Sequence, residues 1–286
     1  MSAEQLTVAV IGAGGKMGMR VSRNLQKSAH TVFYSENSPA GQDRVRTEGR
    51  EITATDEAVK GADVVILAVP DTVLGVVSEG VVPQMKAGAI LLTLDPAAAY
   101  AGLLAQREDV VQAVAHPCHP SVFLERTTKE EWADTFGGQA APQNVVAAID
   151  EDAPDETKAA AESVIRVIYA PVINVHWVTV KQLAILEPTL VETVACMVGT
   201  LLNEALHETV HTAGVPEEAA KAMLFGHVQI ALTNALRGSI PFSEACEIAF
   251  QYGKDTIIRD DWKKIFDDSE LDKVIAKMLK LQAVRR

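Results

Sequence analysis

Residues 6–36 read LTVAVIGAGGKMGMRVSRNLQKSAHTVFYSE, and this stretch decides the fold of the first half of the chain. The apolar run at 6–11 predicts a buried strand, and the glycine-rich turn at 12–18 opens an amphipathic helix. A second strand over 31–35 ends at the acidic residue Glu36. The order of strand, glycine turn, helix, strand and acid predicts a dinucleotide-binding βαβ unit.

The glycine turn has the chemistry of a phosphate site, because glycines let the backbone approach a pyrophosphate at a helix N-terminus. Its spacing departs from a regular GxGxxG, since Met17 occupies the sixth position from Gly12. Glu36 can accept hydrogen bonds from both ribose hydroxyls and would repel a 2′-phosphate, which favours NAD over NADP; Arg44 and Arg46 weaken this preference. The residues that we expect to bind the cofactor are Gly12, Gly14, Gly15, Lys16, Met17, Gly18 and Glu36, together with Val69, Pro70 and Asp71 at the end of a later apolar strand.

The composition excludes several classes of function. With 26 basic against 38 acidic residues, the formal net charge of −12 would repel a nucleic-acid backbone, and no basic run offsets it. No stretch reaches about 18 apolar residues without a charge, and no signal-peptide pattern is visible. The three cysteines lie far apart and fit a reducing compartment. We therefore expect a cytoplasmic protein that acts on small molecules and binds neither nucleic acid nor membrane.

The length of 286 residues predicts two domains. Strand and helix patterns alternate up to about residue 180, with a weaker third strand over 51–54, which predicts an α/β fold with a Rossmann-type, doubly wound parallel sheet. After that point only helical patterns remain, and long apolar helices often pack against a second subunit. We expect a dinucleotide-binding domain over 1–180 and a smaller all-α domain over 181–286 that closes the substrate site and forms a homodimer.

Two histidines lie in the sequence AHPCHPS at 115–121, directly after an apolar strand. The loop therefore emerges at the carboxyl edge of the sheet, where ligands of such folds bind. Pro117 and Pro120 restrict the backbone and hold His116 and His119 in a fixed relation. Either imidazole could take a proton from a substrate hydroxyl or ligate a metal. The alternative is a polar loop with one buried, hydrogen-bonded histidine.

Glu187 interrupts an apolar helical stretch and precedes Pro188. A carboxylate there is costly unless it is paired, binds a metal or faces a cleft. The residue before a proline is biased out of the α region, so we expect the helix to kink or restart at this point and turn Glu187 toward the cleft between the domains. An ion pair at the domain interface is the alternative.

His207, Glu208 and His211 form an HExxH motif. On a helix the two imidazoles would face one way, with the glutamate placed as the base for a zinc-bound water. The predicted helix ends at 213–214, however, and a metalloprotease would leave the dinucleotide domain unexplained. We favour a solvated helix end whose histidines complement the helix dipole.

Assembled, these motifs resemble the 6-phosphogluconate and 3-hydroxyacid dehydrogenase superfamily over the whole architecture. Gly12, Gly15 and Gly18 match the turn of that superfamily, Glu36 matches its ribose-binding acid, and the sequence AGVP at 213–216 matches its junction between helices. The resemblance implies an oxidoreductase with a Rossmann domain and a helical second domain.

The catalytic region departs from most of the superfamily. The usual Lys-x-x-Asn-Asn pattern is absent after Lys181, and Glu187 is expected nearer the catalytic position. The motifs at 115–120 and 186–189 are most similar to an oxidoisomerase branch. That resemblance implies oxidation of a branched or polyhydroxylated sugar acid by NAD, with rearrangement of the carbon skeleton. It also implies a divalent cation, Zn²⁺ or Mg²⁺, held by His116 and Glu187, with His119 as a second ligand or base.

Three other functions remain open at this stage. An NAD(P) oxidoreductase for another hydroxyacid, for prephenate or for pyrroline carboxylate would differ in substrate rather than in fold. A non-catalytic regulator would bind NAD without turnover. A metalloprotease would depend on the HExxH motif.

Overall fold

The computed structural model describes residues 5–238 and 240–284, and within them one sheet holds seven strands in the order β2-β1-β3-β4-β5-β6-β7. The sheet and the helices that follow it confirm the predicted fold class. The strands are β1 (Thr7–Ile11), β2 (Thr31–Ser35), β3 (Val64–Leu67), β4 (Ile90–Thr93), β5 (Val111–Pro117), β6 (Gln143–Ile149) and β7 (Val172–Trp177).

The sheet is mostly rather than wholly parallel. Strands β2, β1, β3, β4 and β5 pair in parallel, but β6 runs antiparallel to β5, and β7 is again parallel to β6. A parallel return needs a crossover connection, usually a helix that covers a face of the sheet. The connection at 118–142 holds only the five-residue helix Lys129–Ala133 in the described chain, so β6 returns alongside β5 in the opposite direction.

The helices follow the strands in alternation through the first half and continue without strands after β7. They are α1 (Lys16–Leu25), α2 (Pro39–Thr47), α3 (Thr55–Lys60), α4 (Asp71–Val81), α5 (Ala97–Tyr100), α6 (Lys129–Ala133), α7 (Asp155–Ile168), α8 (Val180–Ala184), α9 (Met197–His211), α10 (Glu217–Arg237), α11 (Glu244–Ile257) and α12 (Asp268–Met278). Short 3₁₀ turns cover Val82–Gln84 and Trp262–Phe266.

Strand β1 is buried on both faces, and its alternate residues enter two different cores. Val8 and Val10 pack with residues of α1 and α7 on one face of the sheet. Ala9 and Ile11 pack with residues of α3 and α4 on the other. Burying one such aliphatic side chain contributes about 1.5–3 kcal/mol, so the two cores fix β1 and the turn that follows it.

The predicted third strand at 51–54 is not formed as a strand. Ile52 makes one isolated parallel bridge with Tyr34 of β2. Only Ile52 in this segment carries a large apolar side chain, so there is no continuous face to bury against the sheet. On this side the sheet therefore ends at β2, and its other edge is β7.

The chain divides into two compact units at a different position from the predicted boundary. The first unit runs to Glu187 and takes up the chain again from Asp272, and the second spans Pro188–Leu271. Helix α12 returns because Ile275 within it and Leu279 just after it are buried, and because Tyr100 Oη donates a hydrogen bond to Asp272 Oδ1 (2.9 Å). Sequence periodicity identified α12 as a helix, but periodicity carries no information about which unit a helix joins.

A π-helical segment, Ile185–Cys196, lies between α8 and α9 and contains Pro188. The helix therefore does not restart at Pro188, because the chain widens into a π-helix and continues, while a bend at this point stays a prediction. By length and composition alone, the continuous helix Val180–His211 could cross a membrane. Within this helix Glu187 and Glu192 interrupt the apolar run, in line with the expectation that no stretch reaches about 18 apolar residues without a charge.

The turn that leads into α1 depends on a glycine that can be tested by substitution. A Cβ atom at Gly18 would overlap Gly12 O and the backbone of Ala13. Gly18→Ala should therefore lower the free energy of unfolding by about 1–3 kcal/mol, because a clash with backbone cannot be relieved by a change of rotamer. Urea unfolding measures the effect.

Gly80→Ala is the matched control, since a Cβ on this residue of α4 meets nothing within 4 Å. It should stabilise the protein by about 0.5–1 kcal/mol, as alanine is the better helix former. Equal unfolding midpoints for the two variants would contradict the assignment of close packing to Gly18.

Candidate active site

The glycine turn lies where β1 and β3 separate at the carboxyl edge of the sheet. Strand β2 lies on one side of β1, whereas β3 and all later strands lie on the other side. The order in which the chain adds strands to the sheet therefore reverses between β1 and β3. Gly12 adopts φ +82°, and a Cβ on it would come within 2.7 Å of Ala68 O. A residue with a side chain would force the two strand ends apart. The crevice at such a switch point is where doubly wound sheets bind ligands.

Glu36 follows β2 and faces the glycine turn. Its carboxylate accepts hydrogen bonds from the backbone N–H of Gly14 (3.0 Å) and from the backbone N–H (2.8 Å) and Oγ (3.0 Å) of Ser38. Burial alone would raise the pKa of Glu36, but these hydrogen bonds outweigh it and lower the pKa. The carboxylate is therefore ionised at neutral pH, at the point predicted for ribose recognition.

Two cavities flank the glycine turn and have Val69 in common. One, of about 350 Å³, is lined by Gly12, Glu36 and residues of α4. The other, of about 340 Å³, is lined on one side by Gly15–Met17 and on another by Ala68–Asp71. One cavity on each side of a phosphate-binding turn suits the two halves of a dinucleotide, so the residues present fit NAD.

Asp71 opens α4 and lines the second cavity. Burial raises the pKa of its carboxyl group, and among the described residues that line this cavity Lys16 is the one Lys or Arg. Asp71 thus lies in the site as predicted, next to Val69 and Pro70. Asp71 is the first residue of α4 and does not cap this helix, since the N-cap position is Pro70 and no side chain makes a capping hydrogen bond there.

His116 is the penultimate residue of β5 and lines the second cavity. Its Nδ1 lies 3.1 Å from Leu94 O. Because a carbonyl oxygen only accepts, Nδ1 carries the proton and Nε2 keeps its lone pair. Although part of the ring is exposed, desolvation lowers the pKa of His116 to about 4. The imidazole is therefore neutral at pH 7, the form that binds metals.

His119 lines the same cavity but is oriented differently. It adopts φ +59°, its Nδ1 lies 2.8 Å from Phe136 O, and its ring centroid is 4.5 Å from that of Phe136. The centroids of His116 and His119 are 6.3 Å apart. The two histidines share the cavity as predicted, with His119 fixed against the loop that carries Phe136.

Three side chains form a cluster that could hold a metal ion. One ligand atom from each of Asp95, His116 and Glu187 lies within 4.8 Å of the other two. Metal–ligand bonds of about 2.0–2.6 Å allow ligand atoms to be separated in this way. His116 and Glu187 are the pair predicted from the sequence, and His119 is outside this group. All three residues belong to the first unit. The prediction differs, because it assigned Glu187 to the second domain and placed the site in the cleft between the two domains.

Asp95 was missed by the sequence analysis. It follows β4, one strand before His116 in the sheet, and the backbone N–H of Ala97 donates to its Oδ1 (2.8 Å). The available signal was its position two residues after an apolar strand, at the same carboxyl edge as the His116 loop. An acid followed by a proline at a strand end is too common to single out without knowing which strands are neighbours.

Phe136 was also missed, and its position depends on a buried aspartate. Asp134 accepts hydrogen bonds from the backbone N–H groups of Gln139, Ala140 and Ala141 (2.8–3.1 Å) and lies 3.9 Å from Arg20 Nη2. These contacts hold the loop and present the Phe136 ring to the second cavity.

The HExxH motif lies at the end of α9, away from these residues in sequence and in the other unit. The His207 and His211 rings are exposed, with centroids 4.3 Å apart and planes tilted by 47°. Across the described chain, no third His, Cys, Asp or Glu joins them in a cluster suited to a metal. The exposed helix end that the sequence analysis favoured agrees with this geometry.

Two family models match the chain in overlapping halves. Residues 3–171 match the NADPH-binding domain of acetohydroxy acid isomeroreductase, and residues 124–279 match the C-terminal domain of phosphogluconate dehydrogenase (decarboxylating). These matches agree with the resemblance found from the motifs.

Curated relatives and a solved structure are similar over nearly the whole chain. A D-apionate oxidoisomerase of Pectobacterium atrosepticum is 64% identical over 100% of both chains, and one of Cupriavidus necator is 43% identical over 95% of this chain and 98% of its own. The crystal structure of a semialdehyde dehydrogenase NAD-binding protein from Cupriavidus necator, in complex with calcium and NAD, has 42% identity and a TM-score of 0.91, covering 96% of this chain and 100% of that one. The chain belongs to the D-apionate oxidoisomerase family and is an NAD-dependent oxidoreductase.

Proposed function

We propose that this enzyme oxidises a branched sugar acid of the D-apionate type with NAD and rearranges its carbon skeleton, assisted by a divalent cation. The observation that carries the proposal is the cluster of Asp95, His116 and Glu187 beside the cavity that suits the nicotinamide half of NAD. The names of the relatives at 64% and 43% identity support the substrate and the coupled isomerisation.

The donor set fits a hard or borderline divalent cation. Two carboxylates and one neutral imidazole suit Mg²⁺ or Zn²⁺. Glu187 is only 5% exposed, and a buried carboxylate is costly unless a cation or hydrogen bonds compensate it. The similar Cupriavidus necator structure contains calcium, and that finding concerns its own site. When bound here, the cation would supply Lewis-acid polarisation of the substrate's oxygen atoms.

The reaction has two parts that balance separately. Bound NAD would supply the acceptor for a hydride from the carbinol carbon next to the carboxylate, and the hydroxyl of that carbon would lose its proton to a base of the protein. A carbon substituent then migrates from the neighbouring tertiary carbinol to the new ketone carbon. The old ketone becomes a tertiary alcohol and the old alcohol becomes a ketone, so the second part consumes no oxidant.

The residues of the chain divide the work of moving protons and holding the substrate. His119 donates from Nδ1 to Phe136 O, which leaves Nε2 to take the hydroxyl proton. His116 is kept neutral by burial and is oriented by Leu94 O, as a ligand must be. Asp95 is fixed by the N–H of Ala97. Leu74 and Leu94 line the same cavity and limit the access of water.

Turnover of D-apionate tests the proposal directly. The purified enzyme with D-apionate, NAD and Mg²⁺ should form NADH, and carbon NMR of the product should show a new ketone beside a new tertiary carbinol. Chelation with EDTA should lower the rate at least about tenfold, and added Mg²⁺ or Zn²⁺ should restore it. Oxidation without a change of skeleton would contradict the isomerisation, and an unchanged rate in EDTA would contradict the metal.

Ligand variants sharpen the same experiment. Asp95→Asn and Glu187→Gln keep side-chain shape but remove a charged ligand, and each should lower kcat about 100-fold or more. The dissociation constant for NAD should change little. Glu192→Gln is the control, because this exposed glutamate lies on the same continuous helix outside the cluster.

We also propose that Glu36 makes the enzyme prefer NAD to NADP. Its carboxylate is ionised and directed at the turn that receives the pyrophosphate. A 2′-phosphate at the same place would meet a like charge in a partly buried site. Arg44 donates from Nε to Gly14 O (2.8 Å), so its guanidinium contacts the turn as well as being near the ribose position.

Glu36→Ser should raise the dissociation constant for NAD about tenfold, because the ribose loses its acceptor. The same change should tighten NADP relative to NAD, since the repulsive charge is removed. Titration of each cofactor against protein fluorescence measures both constants. Glu57→Ser, a charge change on α3, is the control, and an unchanged ratio of NAD to NADP affinity in Glu36→Ser would refute the assignment.

The exposed apolar side chains of the helical unit support the proposal of a homodimer. Helices α9 and α11 have no buried residue in the described chain, although apolar side chains are frequent on both. On α10, Met223 and Phe225 are 63% and 64% exposed beside the small residues Ala222 and Gly226. An apolar surface this extensive needs a partner in water, and a second copy of the same unit offers a matching one.

Light scattering at micromolar concentration should therefore give twice the mass of one chain. Phe225→Glu should shift the protein toward monomer or lower its solubility, because a charge would be buried in the interface. Trp132→Glu is the control, as Trp132 is equally exposed on the first unit. A monomeric wild-type protein would overturn the homodimer.

A further inference from the structure

The cavity of the candidate active site contains few positive charges. Its charged lining consists of Asp71, Asp95 and Lys16, with Lys16 as the one Lys or Arg in the described lining. The chain as a whole carries a formal charge of −12. An anionic substrate is therefore attracted only by local groups, and the general field of the protein opposes its entry.

The proposed cation does not by itself compensate a substrate carboxylate. As ligands, Asp95 and Glu187 would supply two negative charges, which balance the two positive charges of a divalent ion, while a metal-bound imidazole is neutral. The cluster with its ion is then formally neutral. A further cation is needed to hold the carboxylate of a sugar acid, a step that rests on the proposed function.

Lys16 occupies a position that a lysine does not favour for stability. It is the first residue of α1, where the positive end of the helix dipole repels a cation. Its backbone belongs to the cofactor turn, but its Nζ lies 5.3 Å from the centroid of Phe136. Phe136 contacts His119, so the ammonium group lies toward the histidine side of the cavity.

We propose that Lys16 binds the carboxylate of the sugar-acid substrate. The backbone N–H groups of the glycine turn serve the pyrophosphate, whereas the Lys16 ammonium serves the acid group that is carried past Phe136 into the cavity. Lys16 thereby fixes which end of the polyhydroxylated acid faces the cluster of Asp95, His116 and Glu187. The preference for an acid over a neutral polyol of the same shape arises at this residue.

Equilibrium binding separates this role from cofactor binding. The enzyme loaded with NADH and Mg²⁺ cannot turn over, and it can be titrated with D-apionate and with the primary amide of D-apionate. Lys16→Met should weaken D-apionate binding about 10–100-fold, the effect of losing one charge-assisted hydrogen bond in a partly enclosed site. Binding of the amide and of NADH should change less than about threefold, a variation that small local shifts produce.

Matched variants and outcomes make the test decisive. Lys16→Arg should recover most of the affinity, and Lys27→Met, which removes a charge just beyond the other end of α1, should have no effect. Equal loss for acid and amide, or weaker NADH binding with D-apionate affinity unchanged, overturns the inference. Failure of the wild-type protein to bind D-apionate overturns the proposed function and this inference together. Wild-type binding with an unchanged Lys16→Met affinity overturns this inference alone.

Discussion

The close approach of Gly12 to Ala68 is the constraint on which the site depends. Where β1 and β3 separate, a Cβ at position 12 would come within 2.7 Å of Ala68 O and 2.8 Å of a Val69 methyl group. Because glycine allows this contact, the turn can fold back over the end of β3 and start α1 at once. One cavity then opens on each side of the turn, and side chains just after β4 and at the end of β5 line the second. The cofactor and substrate positions are consequences of the same backbone contact.

Negative charge is handled locally in a chain that is strongly acidic overall. The glycine turn offers backbone N–H dipoles, and one of them, Gly14 N, is occupied by the carboxylate of Glu36. A bound pyrophosphate would compete for the same amide group, so cofactor binding and the orientation of Glu36 are coupled. The carboxylates in the cluster of Asp95, His116 and Glu187 provide an equally local site for a cation. A single crevice thus offers sites for both signs of charge: the backbone dipoles and Lys16 suit anions, and the carboxylates suit a cation.

Sequence patterns predicted the parts of the structure that local chemistry determines. The β1 run, the glycine turn and Glu36 belong to one continuous segment, and His116 follows a strand at a predictable edge. Asp95 could not be found in the same way, because its importance comes from the neighbouring positions of β4 and β5. The reversal of β6 and the return of α12 are likewise decided by tertiary packing, which periodicity does not record. Glu187 was singled out because a carboxylate in an apolar run is costly, an argument that needs no partner to be known.

The π-helical segment explains how the costly carboxylate of Glu187 is placed in the site. A π-helix leaves wider spacing and poorer hydrogen-bond geometry than an α-helix, and it is retained mostly where a site needs it. Here it spans Ile185–Cys196, starting two residues before Glu187, and it accommodates Pro188 without a break. An uninterrupted α-helix would lose a hydrogen bond at the proline and clash with the carbonyl four residues earlier. Widening the helix instead keeps the long element continuous and leaves a ligand atom of Glu187 within 4.8 Å of ligand atoms of Asp95 and His116. The irregularity is therefore best explained by the position that it gives to one carboxylate.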